Sequence, residues 1–441
     1  MVFSRALGGT SLFELCQKNL ARILDRQDPH LQNMPVEVLP YYDGLNLANI
    51  PSSICHWFGI PAPRSELLSI PHPPIHPEKI RNIILLLVDG LPYQRMYSWL
   101  EKIQTRKFSK GNQDYLEENA AFTALTSISP STTANALTSL WTGKFPSEHG
   151  VIGYELYLQE YERILNMILQ TEVYPNFDPD TAPFDLAQHA FLPVDTLGSH
   201  FKKHGITPFA LQHESINGSG LSRMLLADVE KVPYTSLEEM WQKTRAVLDQ
   251  DQPDHKYIYL YWSEQDTLSH RFGPDSRRTR SAWHYFHHNL EKFINERISA
   301  GKQDTILLVT SDHGQIPTNI QPKYDVRHDQ GFMNCLQVPP SGESRFPYLF
   351  VKPDHIDRFQ QIVEQRWGSQ FQLLPSGTML HAGVFGETTA SPTIENRIGN
   401  FCALPVGNAY WWWANKENHL LGRHGGFSKL EMLTPFLSLV L

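Results

Sequence analysis

Three near-continuous apolar runs, each leading to an aspartate, constrain the fold of this chain most. The runs are residues 81–88, 256–262 and 305–311, and the aspartates are Asp89, Asp266 and Asp312. Runs of this kind are typical of strands that are buried on both faces of a parallel sheet. In such sheets, ligands bind outside the carboxyl ends of the strands. We therefore expect three carboxylates at one edge of a parallel sheet.

Two of these aspartates have a histidine close behind them. His270 follows Asp266 by four residues, and His313 directly follows Asp312. Residues four apart lie on the same face of a helix, so Asp266 and His270 can act together. Carboxylates and imidazoles gathered at one sheet edge are typical metal ligands. The sequence therefore predicts a pair of metal ions and metal-assisted catalysis at this edge.

The composition indicates a globular protein that does not bind nucleic acid broadly. The chain has 441 residues, of which 19% are charged, and this charged fraction argues against wholesale disorder. A net charge of −8 argues against a broad nucleic-acid surface, because such a surface requires a basic stripe. A local basic pocket for a phosphate remains compatible with this charge.

The cysteines, the N-terminal segment and the lack of a long apolar stretch favour a cytoplasmic protein. The four cysteines have no paired spacing, which argues against a disulfide framework or a cysteine zinc site. The first ten residues lack an apolar signal core, and no stretch approaches the length that spans a bilayer. We therefore predict a cytoplasmic location without a membrane partner. The sequence predicts no particular oligomeric state.

The order of the remaining patterns favours an α/β fold. Residues 12–26 have the pattern of an amphipathic helix, residues 207–212 that of a strand, and residues 276–299 that of one long helix. Strands alternating with helices predict a doubly wound, mostly parallel sheet sandwiched by helices.

We predict the domain organisation from proline-rich stretches and from changes in the regularity of the hydrophobic pattern along the chain. Residues 61–77 are rich in proline, so we predict that residues 1–80 form an arm packed on a catalytic domain of residues 81–441. After residue 314 the pattern is less regular, which predicts an inserted or C-terminal loop-rich subdomain at roughly 320–410. The aromatic run at 410–413 is predicted as a strand with alternate rings in the core, with base stacking as the alternative.

A cluster of hydroxyl residues precedes a helical pattern at residues 134–141. Ser131, Thr132 and Thr133 precede this segment, and Gly143 ends it. A hydroxyl at a helix start faces unpaired N–H groups and the positive end of the helix dipole, which suits a phosphate. The alternative is that these hydroxyls only cap the helix.

Taken together, these segments resemble the alkaline phosphatase superfamily, and in particular its type I phosphodiesterase/nucleotide pyrophosphatase family. The motifs that carry the resemblance are Asp89-Gly90, Thr133 with Thr142-Gly143, Asp266 with His270, Asp312-His313-Gly314, and Gly422-Arg423-His424-Gly425. Their order and spacing match the family from about residue 80 to residue 441. The resemblance implies the fold described above and hydrolysis of phosphate esters.

The resemblance also implies a role for each of these residues. The nucleophile of the family lies nine residues before the threonine of the Thr-Gly pair, which selects Thr133. The implied ligands are Asp266, His270 and His424 for one metal ion, and Asp89, Asp312, His313 and the Thr133 oxygen for the other. These ligands include no sulfur, so we expect two divalent ions, with zinc preferred and manganese as the alternative.

The chain departs from the family pattern beside the nucleophile. Nucleotide pyrophosphatases usually carry an asparagine three residues after it, where this chain has Ala136. The neighbouring Asn135 is the candidate substitute for binding a phosphate oxygen. The cysteine from which sulfatases form their nucleophile is absent at Thr133, which disfavours sulfatase activity.

The leading interpretation is a two-metal hydrolase of phosphodiesters or pyrophosphates that acts through a phosphothreonine at Thr133. Its substrate is expected to be a small-molecule phosphate ester, with nucleotides as candidates. One alternative is a phosphomonoesterase or phosphotransferase of the same superfamily. A second alternative is a metal-binding interaction protein without catalysis.

Overall fold

The computed structural model describes residues 12–105, 110–174, 191–252, 254–386 and 392–441, together with residues 184, 186 and 189. Its α-helices are α1 (Leu12–Leu24), α2 (Ile50–Trp57), α3 (Tyr93–Thr105), α4 (Lys110–Asn119), α5 (Thr133–Thr142), α6 (Pro146–His149), α7 (Leu197–Lys203), α8 (Gly220–Leu225), α9 (Leu237–Leu248), α10 (Glu264–Phe272), α11 (Arg277–Ala300), α12 (Gln330–Met333), α13 (Ile356–Trp367), α14 (Ser376–His381), α15 (Pro392–Ile398) and α16 (Lys429–Met432).

The strands belong to one main sheet and two further sheets. They are β1 (Asn82–Val88), β2 (Ala120–Thr126), β3 (Glu155–Leu158), β4 (Arg163–Asn166), β5 (Thr171–Glu172), β6 (Ile206–Leu211), β7 (Glu230–Lys231), β8 (His255–Trp262), β9 (Thr305–Thr310), β10 (Ile316–Pro317), β11 (Ser341–Glu343), β12 (Phe346–Leu349), β13 (Phe371–Pro375), β14 (Phe401–Pro405), β15 (Gly422–Arg423) and β16 (Leu433–Val440).

The main sheet has seven strands in the order β2-β16-β9-β1-β8-β6-β7. β1 pairs in parallel with β8 and β9, while β16 runs antiparallel to both of its neighbours. The predicted strands at 81–88, 256–262 and 305–311 are therefore confirmed as β1, β8 and β9. Every residue of β1 and β9 is buried, which explains why these runs lack an alternating pattern.

Helices cover both faces of this sheet, and the aromatic side chains of β8 show which helix packs on each face. Successive side chains point to opposite faces of a strand. On one face, Tyr257 and Tyr259 contact Trp141 of α5, with ring centroids 5.7 and 5.3 Å apart. On the other face, Trp262 stacks on Phe286 of α11 at 4.2 Å. The predicted doubly wound sheet sandwiched by helices is confirmed.

A second, antiparallel sheet lies in the region for which the sequence predicts a loop-rich subdomain. Its order is β13-β14-β12-β11-β3-β4-β5. Residues 320–410 supply β11 to β14, but β3 to β5 come from residues 155–172. An earlier segment of the chain therefore completes the sheet of this region. A short pair, β10 with β15, stands apart from both sheets.

The aromatic run at 410–413 is not a strand, so the prediction of a strand is wrong. Only Trp412 makes an isolated bridge, which pairs it with Asp325. All four rings are nevertheless buried. Trp411 stacks on Phe371 at 4.2 Å, so tertiary packing holds these rings without a ladder of backbone hydrogen bonds.

The described part of residues 1–80 packs on the main body. The predicted helix at 12–26 is confirmed as α1, and the side chain of its Asn19 donates to Thr123 of β2 at 3.1 Å. Asn46 likewise donates to Thr126 of β2 at 2.9 Å. The boundary at residue 80 stays a prediction. In the ranges described above, none of the helices combines the length and the apolarity that crossing a membrane requires.

Candidate active site

The three aspartates of the apolar runs meet because β9, β1 and β8 are adjacent in the sheet. Asp312 Oδ1 accepts hydrogen bonds from the backbone N–H groups of Gly90 and His313, at 3.1 and 3.0 Å. Asp89 Oδ2 accepts a hydrogen bond from the hydroxyl of Tyr261. The sheet edge therefore fixes one oxygen of each of these two carboxylates.

Helix α5 brings Thr133 to this edge. Thr132 is extended, with φ −140° and ψ 146°, so the helix begins at Thr133. Gly143 ends it in the left-handed region, with φ 65°. The Thr133 side chain lies 3.1 Å from the ring of His313, measured from Oγ1 to Nε2. The residue is 8% exposed and lines the cavity described below.

The other two hydroxyls of the cluster have structural partners. Ser131 Oγ donates to the carbonyl of Gly426 at 2.9 Å and accepts from the N–H of Gly425 at 3.2 Å. Thr132 is also buried, and its side chain interacts with Glu343. Thr133 is thus the hydroxyl of this cluster that contacts a histidine of the sheet edge.

Three histidines converge on the same place, each oriented by a backbone carbonyl. Nδ1 of His270, His313 and His424 donates to the carbonyls of Gly422, Gly314 and Ser131, at 2.8, 3.0 and 2.9 Å. A carbonyl can only accept, so Nδ1 carries the hydrogen, and Nε2 is the ring nitrogen whose lone pair can bind a metal ion. Hydrogen bonds of this kind are typical of metal-binding histidines.

These side chains form two adjoining clusters. Potential ligand atoms of Asp89, Asp312 and His313 lie within 4.8 Å of one another, as do those of Asp266, His313 and His424. The His313 ring lies parallel to that of His424 at 3.7 Å, which places it between the clusters. His270 Nε2 lies 3.4 Å from Asp266 Oδ1, and its ring is 5.1 Å from that of His424. The structure thus brings together all seven residues that the resemblance implies.

The contacts within the clusters suit cations. His313 Nε2 lies 3.6 Å from Asp89 Oδ1 and 3.4 Å from Asp312 Oδ2. These two carboxylate oxygens are buried and have no hydrogen-bond partner among the residues that the structure describes. An unpaired buried carboxylate is costly, and a bound cation removes that cost. The residues present therefore fit divalent metal ions.

Burial also changes the pKa values in these clusters. Burial raises the pKa of Asp89 well above its usual range, and the nearby carboxylates of Asp312 and Asp266 raise it further. Burial lowers the pKa of His424 well below its usual range, with His313 and His270 adding to the effect. A neutral His424 is the form of imidazole that binds metals.

A cavity of about 610 Å³ opens above the clusters. Its lining includes Thr133, Asp266 and His424, together with side chains of the second sheet and of the aromatic run. Two of these lining residues, Glu155 and Glu343, are acidic and buried. Burial is the main cause that raises the pKa of Glu343 to about 8. The cavity thus joins the predicted reaction centre to an acidic and aromatic wall.

Asn135 does not reach this cavity. Its side-chain amide is buried and donates to the carbonyls of Ser129 and Pro130, at 2.8 and 3.1 Å. The amide therefore points back into the loop before α5. The structure gives no support to Asn135 as a substitute for the asparagine of the family.

Sequence reasoning missed several residues that support or line the site. Tyr261 contacts Asp89, and the amide of Gln315 donates to Asp266. Tyrosines recur at every second position, 257, 259 and 261, so all three point to the face of β8 that carries α5. This repeat is the sequence signal from which Tyr261 could have been identified. Glu155 and Glu343 lie in short strands that carry no comparable pattern.

The comparisons with known proteins agree with this geometry. The sequence model of the type I phosphodiesterase/nucleotide pyrophosphatase family matches residues 83–367, which is more than half of the chain. The chain belongs to this family. It is therefore an enzyme, a hydrolase of phosphate esters from a family whose members are typically metal-dependent. A search of curated proteins found no match.

Solved structures share the fold. Murine ectonucleotide pyrophosphatase/phosphodiesterase 5, in an inactive form in complex with AMP, has a TM-score of 0.57 at 17% identity, with 81% of this chain and 87% of that chain covered. Phosphonoacetate hydrolase from Sinorhizobium meliloti 1021, in complex with phosphonoformate, has a TM-score of 0.55 at 16% identity, with 83% and 90% covered. At these identities the likeness concerns the fold alone.

Proposed function

We propose that this enzyme hydrolyses phosphodiester or pyrophosphate bonds through a phosphothreonine intermediate at Thr133. The observation that carries the proposal is the position of Thr133. Its hydroxyl lies at the N-terminus of α5, 3.1 Å from a histidine that belongs to both clusters. A nucleophile, potential metal ligands and a helix N-terminus then converge on a single phosphoryl group.

We further propose that two divalent ions bind to these clusters. Asp266, His270 and His424 would hold one ion, and Asp89, Asp312, His313 and the Thr133 oxygen would hold the other. The mixture of carboxylate and imidazole favours zinc, with manganese as the alternative. When bound, such ions lower the pKa of a hydroxyl ligand and neutralise charge on phosphoryl oxygens.

The residues of the chain then have separate tasks. Thr133 Oγ1 attacks phosphorus in line, the bond from phosphorus to the leaving oxygen breaks, and the hydroxyl proton passes through solvent to that leaving oxygen. Water then cleaves the new bond from phosphorus to Thr133, which releases the phosphate product and restores the hydroxyl. The free N–H groups of the first turn of α5 can hold a phosphoryl oxygen, since Asn135 is engaged elsewhere.

The size of the cavity favours diesters over monoesters. A volume of about 610 Å³ leaves room for a second substituent on phosphorus beside the three indole rings of Trp411, Trp412 and Trp413. A nucleotide is a candidate, as AMP occupies the murine structure. The alternative is a phosphomonoesterase or phosphotransferase, and comparing a bis-aryl with a mono-aryl phosphate separates the two.

The decisive experiment replaces the nucleophile. We expect Thr133→Ala to abolish turnover of bis(p-nitrophenyl) phosphate while both ions stay bound, since one of several ligands is lost. Thr138→Ala is the matched control, because Thr138 lies on the same helix and donates to the carbonyl of Ala134. Activity of Thr133→Ala close to that of the control would refute the assignment.

Metal removal tests the second part of the proposal. Treatment with a chelator should stop turnover, and zinc or manganese should restore it. Turnover that resists complete removal of metal would refute the two-ion mechanism, and absence of any metal-sensitive turnover on a panel of phosphate esters would favour a binding protein.

We also propose a cytoplasmic location, and the state of the cysteines supports it. Cys16, Cys55, Cys335 and Cys402 are all buried free thiols. Such thiols suit a reducing compartment. Cell fractionation tests this, and recovery of the protein outside the cytoplasm would refute it.

A further inference from the structure

A second cavity, of about 360 Å³, lies between α3 and α11 and shares no lining residue with the cavity above the clusters. Side chains from positions 92 to 102 and from positions 275 to 287 supply most of its lining, and Leu430 supplies the rest. Its volume lies within the range of about 300–1,000 Å³ that is typical of small-molecule sites. We call it the α3–α11 cavity.

The charged side chains that line the α3–α11 cavity are mostly basic. Arg95 and Lys102 of α3 and Arg280 of α11 line it, and Asp275 is the one carboxylate that the described lining includes. With neutral histidines, this leaves an excess of two positive charges in a chain whose net charge is −8. A cleft lined by one sign of charge concentrates ions of the opposite sign. The α3–α11 cavity therefore attracts anions.

Arg95 carries a charge that the surrounding protein only partly compensates. Its side chain is 13% exposed, and Nη2 donates to the carbonyl of Pro274 at 2.6 Å and lies 3.5 Å from Asp275 Oδ1. The side chain of Asp275 is 77% exposed, so solvent screens this ion pair. Nη1 of Arg95 is buried and has no hydrogen-bond partner among the residues that the structure describes. Arg95 therefore keeps both charge and donor capacity for a ligand.

Arg280 brings a second guanidinium to the same cavity. It is exposed, and none of the carboxylates in the described part of the chain forms an ion pair with it. Burial lowers the pKa of Arg95, the carboxylate of Asp275 opposes this shift, and the charge of Arg280 adds to it. The two guanidinium groups thus repel each other, and an anion bound by both would relieve this repulsion.

A further acidic side chain near the cavity, Glu291, is engaged by other partners. It does not line the cavity, and its Oε1 accepts a hydrogen bond of 2.8 Å from the indole of Trp99. The same oxygen lies 3.3 Å from Nδ1 of His287, whose Nε2 lies 3.0 Å from Nδ1 of His284. Glu291 therefore does not supply the negative charge that Arg95 and Arg280 lack.

The α3–α11 cavity borders the segments that carry two of the proposed metal ligands. Pro92 lines the cavity and lies three residues after Asp89. Pro92 and Leu430 both pack against Gly314, the residue after His313. A Cβ added to Gly314 would lie 3.1 Å from Cβ of Pro92 and would clash with the carbonyl of Leu430. An occupant of the α3–α11 cavity would therefore lie beside the sheet edge without entering the catalytic cavity.

We propose that Arg95 and Arg280 bind a small oxyanion of the phosphate class in the α3–α11 cavity. Each guanidinium offers a planar pair of N–H donors, which matches two oxygens of a phosphate. Lys102 adds a third positive charge. The cavity also borders the first turn of α3, which begins at Tyr93, so the positive end of the helix dipole favours the same ligand. This binding site goes beyond the proposed function, because none of its residues lies in the catalytic cavity.

Equilibrium dialysis of the metal-loaded enzyme against labelled inorganic phosphate counts the sites. The measurement is made at low ionic strength, because salt screens exposed charges. We expect the wild type to bind two equivalents per chain, one at the catalytic centre and one in the α3–α11 cavity. In Arg280→Gln, the affinity of one equivalent should fall about tenfold or more, since a charge and its hydrogen bonds to the ligand are lost. Arg280 is exposed, so this variant should fold normally.

The matched control is Arg278→Gln. Arg278 is also exposed on α11, but it lies two residues earlier, which places it on the opposite face of the helix. Its guanidinium lies over the ring of Phe272 at 4.2 Å and does not line the α3–α11 cavity. This control should keep both equivalents. In both variants, inhibition of turnover by phosphate should keep its wild-type inhibition constant, because the catalytic centre is unchanged.

The count of bound phosphate separates this proposal from the proposed function. If the catalytic centre binds no phosphate, the wild type should bind one equivalent and Arg280→Gln almost none, so the difference still reports the α3–α11 cavity. Equal numbers of equivalents with equal affinity in the wild type and Arg280→Gln would overturn the proposal. The same loss in Arg278→Gln as in Arg280→Gln would also overturn it, because a general effect of surface charge would then explain the binding.

Discussion

Replacing Tyr261 by phenylalanine should weaken metal binding without disturbing the fold. The Tyr261 hydroxyl donates to Oδ2 of Asp89, whose Oδ1 faces His313 at 3.6 Å. Phenylalanine keeps the ring packing and removes only this hydrogen bond. A hydrogen bond to a charged group contributes about 1.5–3 kcal/mol, and removing a partner of a metal ligand lowers metal affinity by about 10–100-fold. We therefore expect a loss of about 10–100-fold in affinity for the ion at Asp89.

Competition with a chromophoric chelator measures that affinity, and circular dichroism confirms the fold. The matched control is Tyr259→Phe. Tyr259 lies two residues earlier on the same face of β8, and its buried hydroxyl has no hydrogen-bond partner among the described residues. The control should keep wild-type metal affinity. A folded Tyr261→Phe protein that binds metal within about threefold of the wild type would refute the reasoning, since the hydrogen bond would then contribute less than about 1 kcal/mol.

Two further substitutions test the surroundings of the site. Asn135→Ala should lower the free energy of unfolding by about 1–3 kcal/mol, because two buried carbonyls lose their donor. The same change should leave KM for a diester nearly unchanged. A large rise in KM would show that Asn135 does contact the substrate. Glu431→Gln should lower the free energy of unfolding, measured in urea, by roughly 3–5 kcal/mol, because it breaks a buried ion pair. Arg345 is 1% exposed and pairs with Glu431 at 2.6 Å. An unchanged midpoint of urea unfolding would show that the buried pair contributes nothing to stability.

The strands of the central sheet could be predicted from the sequence because they depend on local patterns, whereas Thr133 is selected among three hydroxyls only by the resemblance to the family. β1, β8 and β9 are buried on both faces, so each is a continuous apolar run that is visible without the rest of the chain. The helix α11 is similarly visible from its apolar spacing, and the prediction for 276–299 is confirmed at Arg277–Ala300.

The wall of the cavity could not be predicted, because it depends on contacts between distant segments. β3 has four residues and β11 has three, too few for a recognisable period. They pair although residues 159–340 separate them in the chain. The aromatic run at 410–413 has strong strand propensity, but burial against Phe371 and neighbouring rings overrides that propensity. Glu155 and Trp413 therefore meet only in the folded protein.

The place of β16 has a consequence for the biosynthesis of this protein. β16 is the last strand in chain order, yet it lies inside the sheet between β2 and β9. Until Leu433–Val440 leaves the ribosome, β2 and β9 keep unpaired backbone edges, and such edges recruit strands from other chains. The main sheet therefore stays divided between β2 and β9 until synthesis has passed residue 440. A stop codon just before β16 would release a product prone to aggregation.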